Sequence, residues 1–350
     1  MTNDAKYEPY IPRLLHAWPE AKRHQSLPGT MVFVDISGFT AMSERLARFG
    51  KLGAEEVVGV LNNTFSALII TAGTYGGDLL KFGGDALLLW FSGDDHLLRG
   101  AAAAAAMRNE LRVVGKQSTA AGRVALKMTV GVHTGDFDFF VVGESHEELI
   151  IAGPAATQTV ATEESAVAGQ VLVSPAVAAG LPARHLGDEK GIGRLLRGNP
   201  VADKVMLPDA SGRNLEQHVP VGLRAAAGGE AGAGEHRPST IAFVKYTGID
   251  ALLRDEGPER LAERFDGLIQ IAQAACDQYE VTFLATDVDK DGGKIILTAG
   301  VPTASDADDE RMLLAVRHIV ESDPPIKVKI GVNRGRIFAA DVGATFRRTY

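Results

Sequence analysis

The sequence has only one cysteine, Cys276, in 350 residues, which excludes an internal disulfide and a multi-cysteine metal site. It also lacks an excess of positive charge, because 36 Lys and Arg against 44 Asp and Glu give a formal net charge of -8. A broad cationic surface for nucleic acid is therefore not expected. Its most apolar runs, at 87–91 and 101–107, are far shorter than the roughly 20 residues that span a bilayer.

The N-terminus lacks the basic flank and the long apolar segment of a signal peptide. Together these absences predict a cytoplasmic protein with neither nucleic acid nor a membrane as a partner. A hydrophobic content of 45% over this length is enough to bury more than one core, so two domains are expected. Residues 1–29 are predicted to be a lead-in before the first of them.

Apolar patterning in the first half predicts the order β, α, β, β, α, β. The run TMVFVD at 30–35 is apolar and β-branched and ends on Asp35 ahead of a glycine, as a buried strand does where it enters a turn. DLLKFGGDALLLWF at 78–91 places two short apolar runs on either side of a Gly-Gly-Asp turn, which predicts a hairpin. The remaining predicted elements are helices at 43–74 and 96–111 and strands at 124–132 and 137–142.

The second half repeats this order, with predicted elements at 240–245, 258–279, 281–299, 309–321 and 326–332. The fold class expected is α+β, with two tandem ferredoxin-like domains whose antiparallel sheets carry helices on one face. The first domain is predicted to cover 30–208 and the second 239–350. Between them, 209–238 is predicted to be a flexible linker, because its stretch AAAGGEAGAG has no apolar face to bury.

Two aspartates of the first half are expected to meet at one edge of its sheet. Asp35 ends the first strand and Asp85 lies at the tip of the neighbouring hairpin. Mg²⁺ takes oxygen ligands and is often held by one or two carboxylates plus substrate phosphates. The loop that follows Asp35 opens a helix, so its backbone N–H groups are expected to bind phosphate oxygens. The four residues of this predicted phosphate loop are Ser37, Gly38, Phe39 and Thr40.

These segments together, FVDISGFTAMSERL and LLKFGGDALLLWF, resemble the two metal-binding motifs of class III adenylyl and guanylyl cyclases. The resemblance implies that Asp35 and Asp85 bind two Mg²⁺ or Mn²⁺ ions and that the Ile36 carbonyl adds a contact to one of them. It also implies a site between two paired cyclase domains of this chain, with ATP, or else GTP, as substrate. The tandem layout is most similar to the soluble adenylyl cyclase branch and its actinobacterial relatives.

The sequence departs from the family pattern where one partner should supply an Asn and an Arg. The matching stretch of the first half, GPAATQTVA, has Thr157 at the Asn position and Ala161 at the Arg position. The loss of a positioned cation can cost several powers of ten in phosphoryl-transfer rate. In the second half the segment that would carry Asn and Arg is expected beyond Tyr350, so that half is predicted to be incomplete, with further C-terminal domains in the full protein.

Other family positions also differ in the second half. Lys245 stands where Asp35 stands in the first half, and Gly293 lies near the position of Asp85, so no metal is expected there. The lysine that reads adenine would lie in the second hairpin, at 284–286, where none is present. Lys81 has the equivalent place in the first hairpin. It is either a regulatory anion site, for instance for bicarbonate, or a solvated lysine at a strand end.

Three functions follow from this sequence. The first is a nucleotide cyclase that converts ATP to 3',5'-cyclic AMP and pyrophosphate by two-metal catalysis, in cyclic nucleotide signalling. The second is a catalytically weak pseudo-cyclase that binds ATP as a sensor module of a larger signalling protein, which the missing Asn, Arg and Lys favour. The third is a diguanylate cyclase, suggested by Gly83, Gly84 and Asp85, although the ISGFT loop and the tandem layout argue against it.

Overall fold

The structure is a computed structural model that describes residues 3–205, 214–227 and 235–350. Its α-helices are α1 Arg13–His16, α2 Phe39–Ala47, α3 Gly50–Gly73, α4 His96–Val114, α5 Pro154–Glu164, α6 Pro175–Gly180, α7 Ile249–Glu256, α8 Pro258–Tyr279 and α9 Asp308–Glu321. The strands of the first half are β1 His24–Ser37, β2 Asp78–Gly83, β3 Ala86–Phe91, β4 Lys116–Thr119, β5 Gly122–Ala125, β6 Lys127–Val142, β7 Glu148–Ala152, β8 Val171–Val173, β9 Leu186–Lys190 and β10 Gly193–Leu196. Those of the second half are β11 Glu235–Thr247, β12 Thr282–Asp289, β13 Gly292–Ala299, β14 Val328–Ala339, β15 Val342–Ala344 and β16 Arg347–Thr349.

The main sheet of the first half has the order β2-β3-β1-β6-β8-β10-β9, with β7 also paired to β6. Strand β1 lies between β3 and β6 and runs antiparallel to both. Its side chains alternate between the two faces of the sheet, as the period of a strand requires. Val32, Val34 and Ile36 enter one core, and Met31 enters another on the opposite face. Asp35 therefore lies on the same face as Met31.

Helices cover both faces of this sheet, which corrects the expectation of a single helical face. Helices α3 and α4 pack against Val32 and Val34 in the first core, as expected. Helix α5, however, contributes Ala156 and Val160 to the core that contains Met31, on the other face. The absence of a side chain on Gly131 of β6 allows this close packing, because a Cβ there would come within 2.4 Å of the Glu163 backbone nitrogen.

The second half repeats the first four strands of this sheet in the order β12-β13-β11-β14. Its helix α8 spans the 258–279 predicted from sequence. Two equivalent glycines, Gly38 and Gly248, have positive φ angles of 95° and 88° and precede helices α2 and α7. The predicted repeat is therefore confirmed with two corrections. The single helix expected at 43–74 is two helices, α2 and α3, and the strands expected at 124–132 and 137–142 are largely one continuous strand, β6.

Each half sends a segment onto the first long helix of the other half. After β6, the amide of Gly143 donates to the Asp266 carboxylate on α8. After β14, the amide of Gly343 donates to Asn62 on α3. Arg347 of the second half has no assigned role from sequence. Its side chain is buried against the first half, with the residue 7% exposed, and donates to the carbonyl oxygens of Leu79 and Leu80. The two halves thus contact each other through equivalent segments.

The predicted linker, 209–238, is partly structured, which corrects the expectation that all of it is flexible. Two 3₁₀ helices, Leu215–His218 and Val221–Leu223, lie within it. Leu215, Val219 and Leu223 are buried in the core that contains Met31. Removal of these apolar side chains from water lowers the free energy of the folded chain. Strand β11 already begins at Glu235. Residues 206–213 and 228–234, which include most of the AAAGGEAGAG stretch, lie outside the described residues.

Helix α3 is long and apolar enough to cross a membrane by length and composition, and no other helix of the described ranges meets that criterion. In this structure 39% of its most apolar window is buried. Phe65, Leu68 and Ile69 of this helix pack in the first core against the sheet.

Candidate functional site

The two predicted metal ligands lie at adjacent positions of one sheet edge. In the register of β1 and β3, Asp35 is opposite Ala86, the residue that follows Asp85. The backbone amide of Ile36 donates to the Asp85 carbonyl oxygen at 3.1 Å, which fixes the tip of the hairpin against the end of β1. Both aspartates are half-buried. The β-strand and the Gly-Gly turn therefore bring together two carboxylates that are distant in the sequence.

These carboxylates form an uncompensated pair of negative groups. Burial raises the pKa of Asp35, and the neighbouring negative charge of Asp85 raises it further. Burial also raises the pKa of Asp85, although its own backbone N–H opposes this. Within the described residues, neither side chain has a cationic partner. Such a pair favours a bound divalent cation, because the cation would relieve both the repulsion and the desolvation.

The donor set also fits a cation that takes its other ligands from a substrate. Across the described ranges, no group of three or more His, Cys, Asp or Glu side chains could hold a metal ion by itself. Two carboxylates and a neighbouring carbonyl would leave coordination positions for phosphate oxygens and water, which is how Mg²⁺ is usually bound at nucleotide sites. The residues present therefore fit an ion that arrives with a triphosphate.

The predicted phosphate loop opens helix α2, as expected. Gly38 has a φ of 95° at the N-cap, a conformation that a glycine adopts without strain. Helix α2 then begins at Phe39, and no side chain of the loop caps its first amides. These N–H groups carry the positive end of the helix dipole, next to the strand end that bears Asp35.

Glu163 is a third acidic group near Asp35 that sequence reasoning missed. Asp35 is opposite Thr129 in the register of β1 and β6, and the Thr129 hydroxyl donates to the Glu163 carboxylate. Burial raises the pKa of Glu163, the Thr129 hydrogen bond opposes this, and the charge of Asp35 adds to it. No sequence pattern links this α5 residue to β1. The close approach of α5 to Gly131 produces the contact.

The register of the second half shows which of its residues have the positions of Asp35 and Asp85. Lys245 pairs with Lys294 across β11 and β13, as Asp35 pairs with Ala86, so Gly293 has the position of Asp85. The hairpins β2–β3 and β12–β13 also have a bulge at the same place, which makes Ala285 equivalent to Lys81. The second half therefore has neither carboxylate and no lysine at the position expected to read adenine.

Lys81 is neither free nor solvated. Its ammonium group donates to the Glu148 carboxylate at 2.6 Å and to the Thr286 hydroxyl at 2.8 Å, and its side chain is 10% exposed. Although burial alone would raise it, the charges of Lys81 and His146 hold the pKa of Glu148 well below its usual range. This corrects the solvated-lysine interpretation. It also means that an anion predicted to bind Lys81 would compete with Glu148.

Thr157 and Ala161 lie on α5, where the Asn and Arg of the family pattern would lie. The Thr157 hydroxyl accepts a hydrogen bond from the backbone amide of Asp291, in the hairpin of the second half, at 2.9 Å. Ala161 is half-buried, and its carbonyl oxygen accepts from the Ser165 hydroxyl. Neither provides a cation for a phosphate. Thr157 therefore contacts the half of the interface that bears Lys245, and Ala161 contributes no charged group.

Comparison with known proteins shows a similarity to nucleotide cyclases. A family model described as the adenylate and guanylate cyclase catalytic domain matches residues 20–193. The first half of the chain belongs to the class III nucleotide cyclase family. Human adenylate cyclase type 10 is 31% identical to the cyclase domain over 174 residues, which are 47% of this chain and 11% of that protein. The rabbit protein of that name is 33% identical over 152 residues, 42% of this chain and 9% of its own length. The match thus spans about a tenth of these relatives.

The fold of both halves also has a solved counterpart. The crystal structure of a class III adenylyl cyclase-like ATP-binding protein from Pseudomonas aeruginosa has a TM-score of 0.64 and is 12% identical. The similarity covers 99% of this chain and 85% of that chain. At this identity the similarity shows the fold alone, and it extends through the second half, beyond the residues that the family model matches.

Proposed function

We propose that this cyclase-family protein binds ATP, with two Mg²⁺ or Mn²⁺ ions, at Asp35 and Asp85 and converts it to 3',5'-cyclic AMP and pyrophosphate. The observation that supports this most directly is the uncompensated pair of half-buried carboxylates, next to the open N-terminus of α2. In the reaction, the ribose 3'-oxygen would form a bond to the α-phosphorus. The bond from the α-phosphorus to pyrophosphate would break, and the 3'-hydroxyl proton would pass to solvent.

The chain's residues would act mainly by position and charge. Asp35, Asp85 and the Ile36 carbonyl would hold the cations, and the amides of the phosphate loop, Ser37 to Thr40, would bind the triphosphate oxygens. When two divalent ions are bound, the site gains Lewis-acid stabilisation of the attacking oxygen and of the leaving pyrophosphate. Glu163 would keep the local potential negative and so favour the cations.

The rest of the proposed site needs groups that α5 does not supply. Thr157 contacts Asp291 and Ala161 carries no charge, so the Asn and Arg of the family pattern have to come from another segment. We therefore propose that 30–208 and 239–350 are the two cyclase-like units and that they pair within the chain. A cytoplasmic location, and GTP as the other possible substrate, belong to the same proposal.

The alternative is a pseudo-cyclase that binds ATP without turning it over and passes the signal to other domains. It is favoured by Thr157, Ala161 and Ala285, which replace the three polar groups that the family uses on ribose, phosphate and base. The solved structure that shares the tandem fold is itself named an ATP-binding protein. Both functions use Asp35 and Asp85, and they differ only in turnover.

The test measures nucleotide binding and product formation together, with ATP or GTP and Mn²⁺. Wild-type protein is compared with Asp85→Ala and with Asp136→Ala, which removes an exposed acid of the same half. Cyclic AMP formation that is lost only in Asp85→Ala would support the cyclase, and ATP binding without product would support the sensor. Cyclic di-GMP formed from GTP, or ATP binding that Asp85→Ala leaves unchanged, would overturn the proposal.

A further inference from the structure

The second half contains counterparts of the strand end, the hairpin and the helix N-terminus of the candidate site. Lys245 and Gly293 have the positions of Asp35 and Asp85, and Gly248 precedes α7 as Gly38 precedes α2. In the first half, no described side chain accepts a hydrogen bond from the first amides of α2. The counterparts of the two aspartates and of the open amides differ from those of the first half.

Asp291 lies at the N-terminus of α7. Its carboxylate accepts from the backbone amides of Gly248 at 3.1 Å and Asp250 at 2.9 Å. Its carbonyl oxygen also accepts from the amides of Gly248 and Ile249, at 3.0 Å and 3.3 Å. Asp291 has a φ of 56°, which directs both its carboxylate and its carbonyl to the helix. The Asp291 carboxylate thus binds the first amides of α7, whereas the equivalent amides of α2 in the first half are open to a phosphate.

A lysine occupies the position of the first metal ligand. The Lys245 ammonium donates to the Asp289 carboxylate at 2.6 Å. Both groups belong to the same half, one on β11 and the other at the end of β12. The fixed positive charge of Lys245 thus neutralises an acid there without a cation from solution.

The first half contacts this arrangement through the Thr157 hydroxyl. Thr157 Oγ1 accepts from the backbone amide of Asp291 at 2.9 Å. Burial raises the pKa of Asp250, in the first turn of α7, and the nearby Thr157 side chain opposes this, so Thr157 lies beside both the hairpin and the start of α7. A threonine at the expected Asn position thereby contacts protein in place of a ribose.

We infer that the counterpart half-site is closed by the chain itself, with the Asp291 carboxylate in the place of a phosphate and the Lys245 ammonium in the place of a cation. Thr157 is then a positioning residue that fixes the first half against this closed half-site. The consequence is that the chain takes up one nucleotide, at Asp35 and Asp85. That count rests on the proposed function, whereas the closure does not.

Hydrogen exchange of individual backbone amides tests the closure in the nucleotide-free protein. The variants are Asp291→Asn, which tolerates the positive φ and keeps one acceptor oxygen, and Asp255→Asn, which removes an equal charge from the same helix. In wild type, the amides of Gly248 and Asp250 are expected to be protected. Asp291→Asn should speed exchange of at least one of them about tenfold or more, while Asp255→Asn changes neither.

The role of Thr157 is tested by Thr157→Val against Thr157→Ser. The hydroxyl is lost in the first and kept in the second, so only Thr157→Val should speed exchange at Asp291. Rapid exchange of Gly248 and Asp250 in wild type would overturn the closure, as would unchanged protection in Asp291→Asn. Faster exchange throughout α8 as well would mean that the substitution unfolds the whole second half. Thr157→Val, which leaves the hairpin sequence intact, would then decide the outcome.

Titration with Mn²⁺ and α,β-methylene ATP tests the count. One equivalent is expected in wild type and none in Asp85→Ala. A second equivalent that persists in Asp85→Ala would contradict the closed half-site while leaving the first site intact. Absence of all binding would contradict the proposed function instead, and the amide protection would still decide the closure.

Discussion

The carboxylate of Asp287 in the second half lies against Gly83 of the first half, so close that a Cβ on Gly83 would be 3.1 Å from Asp287 Oδ2. Asp287 is itself fixed in place, because it is 7% exposed, pairs with Lys294 at 2.8 Å and accepts from the amide of Val288 at 2.9 Å. Gly83 ends the strand that leads to Asp85. The two halves therefore meet directly beside the candidate metal ligands.

Substitution of Gly83 by alanine is expected to destabilise the protein by roughly 1–3 kcal/mol, because the added methyl group has to displace a fixed carboxylate. Asp287 has to shift by a few tenths of an ångström against its contacts with Lys294 and Val288, so the hairpin that bears Asp85 should shift as well. Urea denaturation measures the loss. Gly59→Ala is the matched control: it lies in the interior of α3 with nothing within 4 Å of its Cβ position and should be stabilising. Equal stability of wild type and Gly83→Ala would contradict the contact.

Removal of one partner from the buried pair of Lys81 and Glu148 is expected to destabilise the protein strongly. Lys81→Met should cost about 3–5 kcal/mol, because it leaves a buried carboxylate without its ammonium partner. The double variant Lys81→Met/Glu148→Gln should recover part of this loss. Since the pKa of Glu148 is lowered from 4.5 in the folded protein, its contribution is present above that pH and is lost as the pH falls below it. Additive single and double effects in urea denaturation would contradict the pairing.

His218 is expected to make the protein less stable in mild acid. Burial lowers its pKa from 6.5 to about 4, so between these values the unfolded chain binds a proton that the folded chain does not. Its contribution is therefore complete above pH 6.5 and is lost as the pH falls towards 4, by up to about 1.4 kcal/mol per pH unit. The His218→Gln variant should show a flatter dependence in denaturation series from pH 7 to pH 4.5. The same slope in both proteins would argue against a neutral buried histidine.

The acidic pair predicts opposite effects of one substitution with and without metal. Asp85→Asn removes the repulsion of Asp35, so the metal-free variant should be as stable as wild type or slightly more stable. Addition of Mn²⁺ at 100 times its Kd should stabilise wild type by about 2.7 kcal/mol and leave Asp85→Asn unchanged. Thermal denaturation measures both effects. A Mn²⁺-dependent rise in the Tm of Asp85→Asn would place the metal elsewhere.

Much of the fold follows from the sequence because its signals are local. The apolar run before Asp35, the Gly-Gly-Asp turn and the helical spacing at 258–279 each depend on neighbours within a few residues. The same holds for the tandem repeat, since equivalent elements occur in the same order in both halves. The nearness of Asp35 to Asp85 could also be predicted. When two strands pair antiparallel, the end of one strand lies beside the start of the other, and here that start follows the hairpin tip.

Contacts between distant segments could not be predicted in this way. Arg347 has the sequence environment of a solvated arginine, yet its side chain is buried and donates to carbonyl oxygens of β2. Glu163 lies near Asp35 only because Gly131 lets α5 approach β6. The interpretation of 209–238 as a linker was based on composition, which does not reveal that Leu215 and Leu223 pack in the core that contains Met31.

The sequence by itself therefore determined the two α+β halves, the pair of aspartates in the first half and their absence in the second, since each depends on residue type and local order. Only the tertiary structure decided what the replaced residues do. Lys81 with Glu148, Thr157 with Asp291 and Asp291 with the amides of α7 are pairs that lie far apart along the chain. Their partners are set by the packing of one half on the other, and polar groups buried at that interface have to find hydrogen bonds there.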